Sequence, residues 1–206
     1  MGRTDEPLSA GPFGPWLGGA LAALRDGADA DVPCDSCTAC CRASQFVPVG
    51  PDEADALAHL PADLLFPVPG RPGHQLLGYD EHGCCPMLVD DRCSVYEHRP
   101  RACRTYDCRV YAAADVTPDA RTQADVAQRA ARWRFAVEDD DDRALLAAVQ
   151  AAARWVRVHA DELPDEIAPT TPSHHAALAL ELHRAFLPGT DHPDPAALAA
   201  AVGERR

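Results

Sequence analysis

Cys34-Asp35-Ser36-Cys37-Thr38-Ala39-Cys40-Cys41, and the later stretch that runs from Gly83-Cys84-Cys85-Pro86 through Cys93 and Cys103 to Cys108, decide how this chain is read. Together they hold all nine cysteines of a 206-residue sequence. Two residues between cysteines let a loop turn both thiolates toward one metal ion. Cys34, Cys37 and Cys40 therefore offer three ligands, one short of a tetrahedral site or a cubane cluster. Successive side chains on extended backbone point apart, so Cys40 and Cys41 are expected to reach two different places. With Cys84 set aside, four early and four late cysteines remain. Eight thiolates match two four-coordinate sites, one [4Fe-4S] cluster with one zinc, or two clusters.

Spacing leaves the metal open. The first three cysteines are spaced as in bacterial ferredoxins, and the Cys-Pro step of that motif recurs at Cys85-Pro86. The same spacings suit zinc. Arg92, Arg99, Arg101, Arg104 and Arg109 fall among the late cysteines, where they would lower thiol pKa values and offset thiolate charge. Asp90, Asp91, Glu97 and Asp107 offer them surface partners as well. Pro100 fixes φ at the start of the turn that carries Cys103. Arg99 and Arg104 are expected to bond nearby carboxylates or carbonyls, or to sit beside the thiolates. A Tyr hydroxyl near a cluster would tune it by donating to sulfur. His74, His82 and His98 lie near enough to replace a cysteine, but with sulfur in supply they are read as exposed or supporting residues. His174, His175 and His183 are read as surface residues.

The pattern Cys34-x2-Cys37-x2-Cys40-Cys41, Gly83-x-Cys85, then Cys93-x2-Tyr96-x2-Arg99-Pro100-x2-Cys103-Arg104-x-Tyr106-x-Cys108 resembles the bacterial CxxCxxCC proteins, the YkgJ-type cysteine cluster family of zinc- or iron-chelating domains. The resemblance spans Cys34 to Cys108 and includes the Arg-Pro and Cys-Arg-x-aromatic steps. It implies Cys34, Cys37, Cys40, Cys41, Cys85, Cys93, Cys103 and Cys108 as metal ligands, with Arg99, Arg104, Tyr96 and Tyr106 around them. Cys84 falls at a variable position. The resemblance implies a metal site and no defined reaction, although some relatives are described as iron–sulfur oxidoreductases and a flagellin lysine methylase carries a related motif.

Net charge is −13, from 19 basic and 32 acidic residues, and every basic residue is arginine. Such a chain is repelled by nucleic acid and by anionic membrane. No stretch reaches the ~18 consecutive apolar residues of a membrane span, and the first residues lack the basic start of a signal peptide. A cytoplasmic protein is expected, in which thiols stay reduced and bind metal rather than pair. Gly-rich phosphate loops, the Gly-x-Ser-x-Gly elbow, HExxH and the radical-SAM cysteine run are absent from the sequence.

The expected fold is a small, irregular α+β arrangement. A loop-rich cysteine core with short hairpin strands occupies 1–112, with its motif core at 34–108. An all-helical region, 113–206, is expected to pack on it and can present a surface to a protein partner. Helices are expected over Pro15–Arg25, with Trp16, Leu17, Leu21 and Leu24 on one side, and from Pro51-Asp52-Glu53 onward. Leu60–Arg71 reads as a loop. Short strands follow at Leu76–Tyr79 and Met87–Val89, with Asp90-Asp91 as a hairpin turn. Arg99-Pro100 opens a helical turn. Ala120–Ala136, Arg143–His159, Ser173–Phe186 and Pro195–Val202 read as helices. The function that follows is metal binding through thiolates, by zinc or an iron–sulfur cluster. An iron–sulfur oxidoreductase or modifying enzyme is the alternative. A thiol redox sensor using Cys84 or Cys41 is the third reading.

Overall fold

Local sequence signals account for most of the elements in the computed structural model, which describes residues 6–30, 32–34 and 36–190. The helix expected over Pro195–Val202 lies outside them. The elements run β1 (Leu8–Pro12), α1 (Phe13–Asp26), β2 (Val47–Val49), α2 (Ala54–His59), β3 (Leu65–Pro67), β4 (Gln75–Leu77), β5 (Leu88–Val89) and β6 (Arg92–Cys93). Then come α3 (Arg101–Thr105), α4 (Arg109–Ala114), α5 (Ala124–Ala130), β7 (Trp133–Ala136), α6 (Asp140–Val158) and α7 (Pro172–Leu182). This is a mixed α+β chain with small sheets and a helical C-terminal region. Among the described residues, no helix is long and apolar enough to cross a membrane.

The chain divides into two units. One comprises the chain up to Ala22, Cys108–Pro118 and the chain from Gln128 onward; the other comprises Ala23–Asp107 with Asp119–Ala127. The expected region 1–112 thus takes in the main segment of the second unit and the first segment of the first.

In the first unit, β1 pairs in parallel with β7, from Leu8 opposite Trp133 to Pro12 opposite Ala136. The register shifts between Ser9 and Gly11, and Gly11 takes φ +83°, a left-handed value that suits glycine at a bulge. The pairing carries an aromatic cluster. Phe13 meets Phe135 edge-on at 5.1 Å, and Trp16 lies 4.6 Å from Phe135. Helices α4, α6 and α7 pack together around Tyr111, Val149, Val156, Leu178 and Leu180, all nearly inaccessible. Asp139 caps α6 by accepting from the Asp142 N–H at 2.8 Å. His183, expected at the surface, is buried, and its Nδ1–H donates to the Leu180 carbonyl at 2.6 Å.

The expected helix Ala120–Ala136 stops at Ala130. Trp133-Arg134-Phe135-Ala136 follows as a strand, because its inward and outward residues alternate with period two and β1 supplies a partner. Among the described residues after 113, the regular elements are therefore helices apart from β7, and β1 was not expected at all. Leu24, placed on the apolar side of α1, is exposed, whereas Trp16, Leu17 and Leu21 are buried.

In the second unit, β2, β4 and β3 form an antiparallel sheet with β4 in the centre. Val49, Ala56, Leu60, Leu77 and Met87 make its core, and Cys85, Cys93 and Val95 pack against it. The segment expected as a Pro-rich loop contains β3, which pairs with β4 from Leu65 opposite Leu77 to Pro67 opposite Gln75. The β5–β6 hairpin turns at Asp90 and Asp91, as expected. Both take left-handed φ values, 48° and 59°, as a two-residue hairpin turn that matches strand twist requires.

One buried carboxylate organises the start of α1. Asp142 accepts from the Gly14 N–H at 2.9 Å and the Glu138 N–H at 3.2 Å. A Cβ on Gly14 would lie 2.6 Å from Asp142 Oδ1. Asp142→Ala leaves both amides unsatisfied and is expected to lower stability by roughly 1–3 kcal/mol. Urea denaturation should show this as an earlier midpoint, with a similar shift for Gly14→Ala. An unchanged midpoint in Asp142→Ala would show that the carboxylate is dispensable.

Candidate metal centre

Three chain stretches of the second unit deliver thiols to one neighbourhood. The first is a 3-10 turn, Ala39–Arg42, carrying Cys40 and Cys41. The second is the loop through Cys85, whose N–H donates to the Cys41 carbonyl at 2.7 Å. Its approach is set by glycine. Gly83 takes φ +77°, and a Cβ there would lie 2.2 Å from Ser44 Oγ, while Ser44 N–H donates to the Gly83 carbonyl at 2.9 Å. Asp80 shapes the same loop by accepting from the His82 and Cys84 amides at 2.9 and 2.8 Å, which holds its carboxyl below the usual range. The hairpin adds Cys93, opposite Leu88. The third stretch is α3, which starts after Pro100 and carries Cys103. Arg101 ties its first turn down, with its guanidinium on Asp52 and its N–H on Glu53.

The thiols influence one another electrostatically. The Cys41 S–H donates to the Cys40 sulfur, which holds Cys40 down to about 7. Backbone amides and the Arg99 charge act in the same direction, against desolvation. The same bond keeps the proton on Cys41 and raises that thiol, with burial and the charges of Cys40, Cys85 and Cys93 adding to the effect. Burial raises Cys85, and Cys93 and Cys40 push it further. Cys103 is exposed, and loss of water from one side of its thiol pushes it up to about 12. Cys40, Cys85 and Cys93 add to that rise and Arg99 opposes it. Cys40, Cys41, Cys85, Cys93 and Cys103 thus act on one another, and the Arg99 charge acts on Cys40 and Cys103.

The expectation that Cys40 and Cys41 diverge fails for a local reason. Their backbone is a 3-10 turn, not extended chain, and it lets the two thiols bond. Cys84 and Cys85 do diverge. Arg42 Nη1 lies 3.9 Å from Cys84 Sγ, while Cys85 joins the interacting set. The low thiol is Cys40, and Cys41, one of the two sought from sequence for a redox role, is raised.

The other expected residues are placed as follows. Cys34 and Cys37 lie half-buried on the preceding loop, joined by a 2.7 Å bond from the Cys37 N–H to the Cys34 carbonyl. Cys108 belongs to the other unit, where its sulfur accepts from Trp133 Nε1 at 3.1 Å. No disulfide joins the nine cysteines. Arg99 lies over the Tyr96 ring, 3.7 Å from its centroid, and its Nε is buried without a hydrogen-bond partner among the described residues. Arg104 bonds both a carboxylate and a carbonyl, Asp29 at 3.0 Å and Arg99 O at 2.9 Å. Tyr106 ends α3. Arg109 lies in the first unit, buried, with Nη1 on the Ala10 carbonyl at 3.2 Å. His82 is exposed beside Glu81, and His74 Nδ1 lies 3.4 Å from the Pro72 carbonyl.

Sequence reading missed one group. Asp55 and His59 stand one turn apart on α2, and His98 Nδ1 lies 2.9 Å from Asp55 Oδ2. Among the described residues, these three are the metal-ligating trio whose donor atoms all lie within 4.8 Å of one another; no trio of cysteines does so. The Asp55-x3-His59 spacing was the available signal, since residues four apart share a helix face. No family model, curated protein or solved structure matches the chain.

The thiolate is the nucleophile in alkylation. In metal-free protein near neutral pH, Cys40 should therefore react with iodoacetamide at least about tenfold faster than Cys103. The Cys40 rate should fall as pH drops through about 7. Arg99→Gln should slow it at fixed pH by removing a charge that favours the thiolate. Peptide mapping by mass spectrometry reads each rate, and equal rates for Cys40 and Cys103 would refute the assignment.

Proposed function

We propose that this chain is a metal-binding protein that holds zinc or an iron–sulfur cluster through cysteine thiolates, as the resemblance to the YkgJ-type cysteine cluster family implies. The observation that carries this reading is the 2.7 Å bond from the Cys85 N–H to the Cys41 carbonyl, which brings the early and late cysteine stretches together, with Cys40, Cys41, Cys85, Cys93 and Cys103 acting on one another electrostatically. These five thiols are the first ligands of the proposal, and Cys34, Cys37 and Cys108 complete the eight that the motif supplies. Soft sulfur donors favour zinc and iron–sulfur clusters over magnesium or calcium.

The donor chemistry fits such a group. Four Zn–S bonds of ~2.3 Å dictate sulfur–sulfur separations of ~3.8 Å. No three of the described sulfurs lie that close together, so binding requires the thiols to close in. Loading expels the proton that Cys41 places on Cys40 and those on Cys85 and Cys103. Metal uptake is therefore coupled to proton release and strengthens as pH rises. Arg99, stacked on Tyr96, supplies positive charge beside the thiolates without donating its Nε elsewhere. When bound, zinc supplies structural crosslinking, and a cluster supplies one-electron chemistry.

The reading places the protein in a reducing compartment such as the cytoplasm, where these thiols remain available. Its acidity disfavours nucleic acid and anionic lipid as partners. The hydrogen-bonded Cys40–Cys41 pair favours a second reading, a thiol redox sensor in which Cys40 is the reactive thiol.

Anaerobic purification with metal and acid-labile sulfide analysis tests the proposal. Stoichiometric zinc, or iron with sulfide and a brown colour, is the expected result; metal-free protein with full thiol titre would overturn it. Cys85→Ser should lower metal content, while Cys84→Ser, whose sulfur faces Arg42, should leave it unchanged. Equal losses in the two variants would show that the spare thiol is wrongly assigned.

A further inference from the structure

We infer that Asp55, His59 and His98 form a separate site for a borderline divalent cation of the zinc, cobalt or nickel class, ligated by one carboxylate and two imidazoles. It uses none of the thiols and does not depend on the thiolate proposal.

The three side chains come from two elements far apart in sequence. Asp55 and His59 belong to α2, and His98 ends the 3-10 turn Tyr96–His98, 43 positions after Asp55. Both imidazoles turn Nδ1 toward Asp55. His98 Nδ1 is 2.9 Å from Asp55 Oδ2, and His59 Nδ1 is 3.6 Å from Asp55 Oδ1. The donor atoms of the trio all lie within 4.8 Å of one another. A metal with Zn–N and Zn–O bonds of about 2.0–2.1 Å needs ligand atoms about 3.4 Å apart in a tetrahedron, or about 2.9 Å apart at octahedral right angles. The observed separations, 2.9 Å to Asp55 Oδ2 and 3.6 Å to Asp55 Oδ1, involve the two different carboxylate oxygens, so a small turn of the carboxylate or of a ring brings one oxygen and both imidazoles to such edges.

The His59 and His98 rings are stacked, 3.4 Å between centroids and 3° from parallel. An imidazole lone pair lies in its ring plane, and two stacked rings hold theirs in separate parallel planes, so a shared metal requires one ring to turn out of the stack. Side-chain exposures of 41% and 39% leave each ring room to do so. Two imidazoles and a carboxylate are the donor set that zinc, cobalt and nickel accept, whereas calcium and magnesium prefer all-oxygen shells. Only three positions are filled by protein, so water or a small anion takes the rest. His59 Nδ1 also bonds the Asp55 carbonyl at 2.8 Å, a bond that metal capture would exchange.

Cobalt(II) titration of the intact protein is the test, because thiolate-bound cobalt gives intense sulfur-to-metal charge-transfer absorption and cobalt held by nitrogen and oxygen does not. The wild type should bind one more cobalt ion than His59→Ala or His98→Ala, with equal charge-transfer absorption and equal far-ultraviolet circular dichroism. Asp55→Asn keeps the shape and should weaken that extra ion by more than the ~10- to 100-fold typical of losing an outer hydrogen-bond partner. His82→Ala, the exposed control, should retain it. An unchanged cobalt count in both histidine variants overturns the inference. So does a count that falls together with the charge-transfer absorption, since the histidines would then serve the thiols.

Discussion

The hydrogen bond from the Cys85 N–H to the Cys41 carbonyl, 2.7 Å long, is the contact on which the cysteine neighbourhood depends. It joins the early and late cysteine stretches backbone to backbone, so the meeting of their thiols does not rely on flexible side chains. Gly83 makes it attainable, because any Cβ would strike Ser44. The loop that presents Cys85 is in turn closed by Asp80 on the amides of His82 and Cys84. Within it, Cys84 turns toward Arg42 and Cys85 toward the other thiols. One backbone bond, one glycine and one aspartate therefore sort two neighbouring cysteines into different environments.

The surrounding unit has little else to hold it. Its strands are two or three residues long, and its core consists of Val49, Ala56, Leu60, Leu77 and Met87. Arg101 with Asp52, Arg104 with Asp29 and Arg42 with Asp91 link its loops, but pairs this exposed are screened by water and contribute little. Cys85 and Cys93 pack directly on the core. Under the proposed function, metal bound there would act on the folding equilibrium of the whole unit and not only on a surface loop.

Elements with strong local signals were legible in the sequence. The β5–β6 hairpin announced itself as an apolar run followed by Asp90-Asp91, and α6 by Leu145, Leu146, Val149, Ala153 and Val156 behind the Asp139 cap. The parallel β1–β7 pair was hidden, since each strand is short and its partner is remote. Trp133–Ala136 lay within a stretch whose alanines and arginines suit a helix. Within the cysteine motif, spacing named eight thiols alike and did not separate Cys40, Cys41, Cys85, Cys93 and Cys103, which act on one another, from Cys34, Cys37 and Cys108; nor did it show the mutual orientation of Cys40 and Cys41. That orientation depends on a 3-10 turn which spacing alone does not specify. Two of the three members of the Asp55–His59–His98 group stand at a one-turn helical spacing in the sequence, and the third required the fold to bring His98 to α2.

The parallel pairing of Leu8–Pro12 with Trp133–Ala136 has a consequence for biosynthesis. Leu8 leaves the ribosome 125 residues ahead of Trp133, the residue it faces (133 − 8 = 125). At about 5–20 residues per second, the first strand waits on the order of 6–25 s for its partner. The cysteine-bearing unit, whose last segment ends at Ala127, is fully synthesised before β7 begins. The loops that carry Cys40, Cys41, Cys85, Cys93 and Cys103 can thus assemble while the chain is still tethered, and the aromatic cluster of Phe13, Trp16 and Phe135 closes afterwards.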